Sequence, residues 1–416
     1  MLFFLICLLG LFSLTNALAT PSVFEPTHYD VIIVGGGPAG LSSLSGLARV
    51  RRRVLLIDSG EYRNGQTTHM HDVIGWDGVQ PAYFRHEARR LLKHYKTAEM
   101  INGTVTDIKR LPGKNTRFSV SLEHNPNSIM QKGKGYSARK IVIATGMKDI
   151  LPSTPGIAEN WGRGIYSCPW CDGHEYAEQP LGLLCPLDKI ASHVLSVITL
   201  TTDIVAFVNG TDNDEMRRVA DAQYPQWEEY LKLHNVTIDN RTITSLERLK
   251  EGEDIEKNPH LPSVPKDDLF NVRFTEGEPV QRVAFLSSVP NRQRSDIGER
   301  AGVELVNGKL HVAQGTMLTS VPGIYAVGDA NSGSAENVQH AMFTGKRAAM
   351  SLHAALEREN WDAELGSCIN TLGHANSNCS PNMPYVMSTE KRAAVAIHVA
   401  LEIEKQAAEL AEIAES

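Results

Sequence analysis

The chain has 416 residues, 42% of them hydrophobic, with 41 lysines and arginines against 48 aspartates and glutamates; it is globular and long enough for two or three domains. A formal charge of -7 over this length gives no basic field to hold nucleic acid, and 6% aromatic residues supply no platform for stacked bases. Disorder and nucleic-acid binding are both excluded.

At the start of the chain, Leu2 to Leu14 form an apolar run too short to span a bilayer, and Ala17-Leu18-Ala19 supplies the small residues of a cleavage site. A signal peptide over residues 1–19 is predicted, sending the protein into the secretory pathway or out of the cell. Sequons at Asn102, Asn209, Asn235, Asn240 and Asn378 fit that route. No later segment reads as transmembrane, so no membrane association is expected once the signal is removed. Removal also takes Cys7 and leaves Cys168, Cys171, Cys185, Cys368 and Cys379. Few cysteines in odd number do not make a stabilising framework, so the close pair at 168 and 171 needs another explanation.

Residues Tyr29 to Val34 form a β-branched apolar strand, followed by Gly35-Gly36-Gly37-Pro38-Ala39-Gly40 and an amphipathic helix to about Val50. Gly35 permits a tight turn, Gly37 lets a pyrophosphate approach the backbone, and Gly40 allows close helix packing. The helix start, where Pro38 and Ala39 lie, holds the anion. A second strand, Val54 to Ile57, ends in Asp58, 23 residues after Gly35, where a carboxylate can accept hydrogen bonds from a ribose. Further on, Lys140 to Ile143 with Ala144-Thr145-Gly146 resembles the strand and turn that flavin disulfide reductases place against the dinucleotide. Gly323 to Asp329 resembles the strand and Gly-Asp turn whose acid meets the ribityl and pyrophosphate of FAD. The three segments in this order point to a flavoprotein with two dinucleotide domains.

Cys168-Pro169-Trp170-Cys171 brings two sulfurs into bonding range and lowers the pKa of one of them, as thiol–disulfide chemistry requires. A zinc site needs a second pair of ligands, and neither Cys185 nor the widely spaced Cys368 and Cys379 provides one, so no metal is expected. Asp172 follows directly. His174 and Glu175 are either further acid/base groups or a solvated turn.

With these residues in view, the sequence resembles the low-molecular-weight thioredoxin reductase family over about residues 28 to 358. It is similar in particular to the fungal branch that includes gliotoxin-type dithiol oxidases. The features that carry this are Asp58-Ser59-Gly60-Glu61-Tyr62-Arg63-Asn64, His69-Met70-His71, Gly75-Trp76-Asp77, and Cys168 through Glu175. The resemblance implies that FAD is the cofactor and that Asp58, Ser59, Arg63, Asn64 and His71 line it, with Val338-Gln339 closing over the isoalloxazine. It also implies that Cys171 faces the flavin, that Cys168 meets the substrate, that Asp172 is the acid/base, and that the protein is a homodimer.

Members that use NADPH carry a second glycine loop just after the CxxC, and basic residues beyond it. Here the first stretch is Gly182-Leu183-Leu184-Cys185-Pro186-Leu187-Asp188, with one glycine, a proline that lacks an N–H and an acid where the pyrophosphate should lie. After a strand from Ile204 to Val208 come Asp212, Asp214 and Glu215 in place of arginines. A poor nicotinamide site leaves the CxxC as the place where electrons arrive. The expected function is therefore oxidation of a small-molecule dithiol from secondary metabolism to an intramolecular disulfide, with molecular oxygen as acceptor and hydrogen peroxide as product. An NADPH-dependent thioredoxin-type reductase is the first alternative, and a non-catalytic flavin-binding scaffold the second.

The expected fold is α/β, with two Rossmann-like dinucleotide-binding domains in a three-layer ββα sandwich, the second inserted into the first, plus a C-terminal helical extension. The FAD-binding domain covers 28–151 and 291–358, the degenerate NAD(P)-binding-like domain 152–290, and a linker and helix 359–416. Glu247 to Lys266 reads as a solvated loop. Thr344 to Glu359 and Thr389 to Glu404 match at ten of sixteen positions, either a local duplication or retained non-coding sequence. The second copy is either a dimer contact or a helix with no role. Cys368 and Cys379 either pair with each other or act as a thiol relay.

Overall fold

The structure is a computed structural model; it describes residues 27–113, 117–123, 135–252, 265–333 and 335–371, with backbone only at 27 and 366–371. The signal peptide, Cys379, the sequon at Asn378 and the second helical copy lie outside these residues, as does the side chain of Cys368.

The first half of the described chain runs β1 (Thr27–Val34), α1 (Pro38–Arg49), β2 (Val54–Asp58), α2 (Pro81–Leu92), β3 (Ala98–Asn102), β4 (Val105–Leu111), β5 (Arg117–Leu122), β6 (Tyr136–Ile143) and β7 (Met147–Asp149). A second group follows: α3 (Ile157–Asn160), β8 (Ile165–Tyr166), α4 (Pro169–Asp172), β9 (Leu181–Leu184), α5 (Ile190–Val197), β10 (Ile204–Phe207), α6 (Asp214–Gln223), α7 (Trp227–Leu233) and β11 (Thr237–Asp239). It closes with β12 (Ile243–Lys250), β13 (Leu269–Phe274), β14 (Val280–Arg282) and β15 (Ala284–Ser287). The chain then returns through β16 (Asn291–Gln293), α8 (Ile297–Arg300), β17 (Leu305–Val306), β18 (Lys309–Leu310), β19 (Val312–Ala313), β20 (Leu318–Thr319) and β21 (Ile324–Ala326) to α9 (Val338–Thr371).

Among the described residues, the first sheet has the order β19-β20-β21-β6-β1-β2-β3, with β4 and β5 joined to it through β6. At its centre β1 lies parallel to both β2 and β6, with Val31 opposite Val54 on one side and Lys140 on the other. Val31, Ile32 and Ile33 are fully buried, which is why this strand is a continuous apolar run rather than an alternating one. Leu41, Leu44 and Leu47 recur every three residues on α1 and bury one stripe of it. Pro38 starts the helix, where its missing N–H costs nothing.

The second sheet is wholly parallel, in the order β11-β10-β9-β15-β8. Between the two sheets the chain leaves along β7 and returns along β16, and these two strands pair antiparallel, Met147 with Gln293 and Asp149 with Asn291. This is the two-domain α/β architecture expected from the glycine loops, the second sheet built from chain inserted between strands of the first.

Two expectations are corrected. Glu247 to Lys250 are not loop: they end β12, paired antiparallel with β13. Glu247 is exposed on the open face, whereas Arg248 shares the face of buried Leu246, where it lies over the Phe270 ring and pairs with buried Asp268. Residues 359 to 371 are not linker either, because α9 continues without a break to Thr371. The chain divides into compact units at Leu356, the second starting at Glu357 within that helix. No helix among the described residues is long and apolar enough to cross a membrane.

Phe285 is fully buried in the cluster between the second sheet and β12–β13, edge-on to Phe270 at 5.5 Å and 6.2 Å from Phe207. Truncation to alanine leaves a cavity between three strands, and urea unfolding of Phe285→Ala is expected to show a loss of about 3–5 kcal/mol.

Candidate active site

A cleft of about 850 Å³ opens between the glycine loop and the CxxC. Gly35 has φ +110, and a Cβ there would lie 2.3 Å from the Ala144 carbonyl oxygen; at Gly40 it would lie 1.9 Å from the Gly35 carbonyl oxygen. No other residue fits these approaches, which press the start of α1 onto the turns after β1 and β6. At Gly37 and Gly146, by contrast, nothing lies within 4 Å of the Cβ position, so the backbone stands open to the cleft. The Thr145 hydroxyl is buried there with no hydrogen-bond partner. An open glycine cradle at a helix start, with an orphaned donor beside it, fits a dinucleotide.

Pro38, Ala39, Asp58, Ser59, Arg63, Asn64, His71, Ala144, Asp329, Val338 and Gln339 all line the same cleft. Several do so with their polar atoms already engaged. Asp58 accepts from the Gly36 N–H at 3.0 Å and the Gly60 N–H at 3.3 Å, takes the Tyr62 hydroxyl, and is ion-paired with Arg89. The carboxylate read as a ribose acceptor is thus also the clasp of the glycine loop, and Arg89, on α2, is a partner the sequence reading did not include.

Arg63 joins three carboxylates: Asp149 at 2.6 Å, Asp329 at 2.9 Å, and Glu336. Lys309 pairs with Glu336 from the other side, and the Asn291 amide donates to it at 3.2 Å. Burial pushes the Asp329 carboxyl above its ordinary range in spite of Arg63 beside it. His71 sits between Asp77 and Glu175, its ring nitrogens 3.4 Å from each, and Asn64 accepts from Arg85 at 3.3 Å.

Cys168 and Cys171 form a disulfide. Cys168 precedes α4, and its carbonyl accepts from the Cys171 and Asp172 N–H groups at 3.1 and 3.2 Å. Trp170, between the sulfurs, is 73% exposed. Burial, reinforced by the Glu175 charge and opposed by Lys266, pushes the Asp172 carboxyl up to about 7, where a group can both take and give a proton near neutrality. Of the two residues left undecided, His174 is exposed and Glu175 is buried, so the solvated turn describes only the first. Tyr166, unremarked in the sequence, also lines the cleft.

In the second sheet, the stretch that corresponds to a nucleotide loop is filled. Gly182 lies inside β9, where a Cβ would meet the Phe285 ring at 2.4 Å; it is a packing glycine. Leu187 is fully buried, and its N–H donates to the Thr211 hydroxyl at 3.0 Å. The Lys189 N–H donates to the Pro186 carbonyl at 3.0 Å. The acidic run differs from expectation in one respect. Asp212 is paired with Arg217 at 2.5 Å, while Asp214 and Glu215 occupy the first turn of α6, capped by Asn213. These acids serve their own helix, while two N–H groups of the loop, those of Leu187 and Lys189, are already given to partners within the chain.

The profile of the pyridine nucleotide-disulphide oxidoreductases matches residues 29–197. A probable thioredoxin reductase of Arthroderma benhamiae is 42% identical over 367 residues, covering 85% of this chain and 88% of the relative. The chain belongs to the thioredoxin reductase-like family of flavin disulfide oxidoreductases. Thioredoxin reductase tcpT of Claviceps purpurea is 28% identical, with 76% of this chain and 90% of the relative covered. The crystal structure of HlmI superposes with a TM-score of 0.68 at 30% identity, over 83% of this chain and 98% of that one. As a family member the protein is an FAD-dependent enzyme, and the open glycine cradle and the Thr145 hydroxyl are groups this flavoprotein can offer the cofactor.

The raised Asp172 carboxyl makes folding less favourable once it ionises. The unfolded chain loses that proton near pH 4 and the native one near pH 7. Stability is therefore undiminished below about pH 4, falls between the two values, and is lower by about 4 kcal/mol at most above pH 7. Asp172→Asn removes the ionisation, so its urea midpoint is expected to exceed that of the unaltered protein at pH 8 and to equal it at pH 4.

Proposed function

We propose that this flavoenzyme oxidises a small-molecule dithiol to an intramolecular disulfide, with O2 as acceptor and H2O2 as product. The observation that supports it is the filled loop after β9: buried Leu187, with its N–H given to Thr211, occupies the place where a reductase keeps glycine and free N–H groups. Electrons that cannot enter from a nicotinamide enter at the disulfide, which opens to the same cleft as the flavin cradle.

The substrate binds with one thiol ionised. Its sulfur attacks Cys168, the Cys168–Cys171 bond breaks, and Cys171 leaves as a thiolate. The Asp172 carboxylate takes the proton of the second thiol, whose sulfur displaces Cys168 and closes the substrate disulfide. Asp172 then returns that proton to Cys168, and two electrons have passed from the substrate sulfurs to the cysteines. When bound, FAD supplies the acceptor for those electrons and the route by which they reach oxygen. Because Asp172 acts as a carboxylate, the rate is expected to fall as pH falls through about 7. Asp172→Asn is expected to lose that limb and about 10²- to 10⁴-fold in rate.

We place the enzyme in the secretory route on the strength of its apolar leader, with a small dithiol of secondary metabolism as substrate and a homodimer as the assembly. The names of its relatives favour the rival reading, an NADPH-dependent thioredoxin reductase. Anaerobic mixing separates the two. A small dithiol should bleach the flavin absorbance, with colour and peroxide returning in air, while NADPH should leave it unchanged. Bleaching by NADPH within seconds makes the protein a reductase. In Cys168→Ser the dithiol should fail to bleach the flavin, and a biological activity that survives this substitution marks a scaffold instead.

A further inference from the structure

A buried polar group without a partner is an exception in folded proteins and calls for an explanation. Tyr166 carries one in the cleft that holds the disulfide. It is 3% exposed, ends β8 two residues before Cys168, and lines the cleft with Cys168, Cys171 and Asp172. Its hydroxyl has no hydrogen-bond partner. The ring is held firmly, stacked on Tyr176 at 6.0 Å with an interplanar angle of 9°, and Tyr176 is anchored by its own bond to Asp268 at 2.6 Å. Burial, with the Asp172 and Glu175 carboxylates near, pushes its ionisation above the ordinary range. The group therefore remains a donor at any pH the enzyme meets.

The acceptor it lacks is one that thiol–disulfide exchange creates. A disulfide sulfur accepts hydrogen bonds poorly, whereas the thiolate released when the bond breaks accepts them strongly. We propose that Tyr166 is a further catalytic residue, its hydroxyl donating to the thiolate formed when the Cys168–Cys171 bond opens. As an attacking thiolate bonds to Cys168, the electron pair of the broken S–S bond passes to Cys171, and Tyr166 supplies the hydrogen bond that this new charge needs. The bond exists in the reduced state and not in the oxidised one, so it favours opening and makes the pair a better oxidant. The assignment rests on Cys168 and Cys171 as the redox pair, and not on oxygen as the final acceptor.

Tyr166→Phe tests it, since the phenyl ring keeps the stack on Tyr176. The flavin-loaded full-length protein is equilibrated anaerobically with glutathione buffers of graded ratio, and the cysteine pair is read by alkylation and mass. The equilibrium is expected to move about tenfold toward the disulfide in the variant, as the loss of one charge-assisted hydrogen bond implies. The pH midpoint for alkylation of the reduced protein is expected to rise, which a merely structural change does not produce. An unmoved equilibrium and an unmoved midpoint overturn the assignment, and if flavin per protein falls at the same time the hydroxyl serves the cofactor instead. Absence of oxygen uptake with dithiols defeats the oxidase reading and leaves this titration intact.

Discussion

One guanidinium organises the site. Arg63 lies on the loop after β2, yet its three carboxylate partners come from β7, the turn after β21 and the segment before α9. Through Glu336 the network extends to Asn291 on β16 and to Lys309. The strand that leaves the first sheet, the strand that returns and the Gly-Asp turn are thereby tied to one side chain only partly open to solvent. Such a cluster is held by mutual compensation rather than by any strong pair: removing the central charge leaves three carboxylates facing one another with a single lysine. The placement of the CxxC relative to the flavin cradle follows, because the second sheet hangs from β7 and β16.

How much of this was visible in the sequence depended on whether neighbours in space were also neighbours in the chain. The glycine loop, Asp58, the turn after β6 and the CxxC were legible because each motif closes on itself within a few residues, and the backbone approaches at Gly35 and Gly40 permit no other residue type. The partners of those motifs were not. Arg89 reaches Asp58 from α2 and Glu336 reaches Arg63 across 273 positions, and no spacing rule announces a contact of that range. Tyr166 stood in plain view before Cys168; only its burial and its orphaned hydroxyl make it chemically distinctive.

The misreadings have the same physical origin. Glu247 to Lys250 looked like loop because Glu247 takes the open face of the strand and the charge of Arg248 is met by Asp268, a partner twenty positions away that no local pattern announces. The acids at Asp212, Asp214 and Glu215 looked like a repulsive field because their partners were invisible. Arg217 and the N-terminal turn of α6 account for them. The stretch after Glu359 looked like a linker because the repeat drew a boundary there that α9 does not respect.

Leu187 both fills the loop after β9 and is fully buried in one cluster with Ile190, Val194 and Leu183. A glycine in its place would empty that volume at a cost of about 2–5 kcal/mol, before Pro186 or Thr211 had changed. On the proposed oxidase reading, a lineage moving toward nicotinamide use would have to pass through a weakened protein before any binding was gained. The loop therefore acts as an evolutionary ratchet, easily turned one way and hard to reverse one substitution at a time.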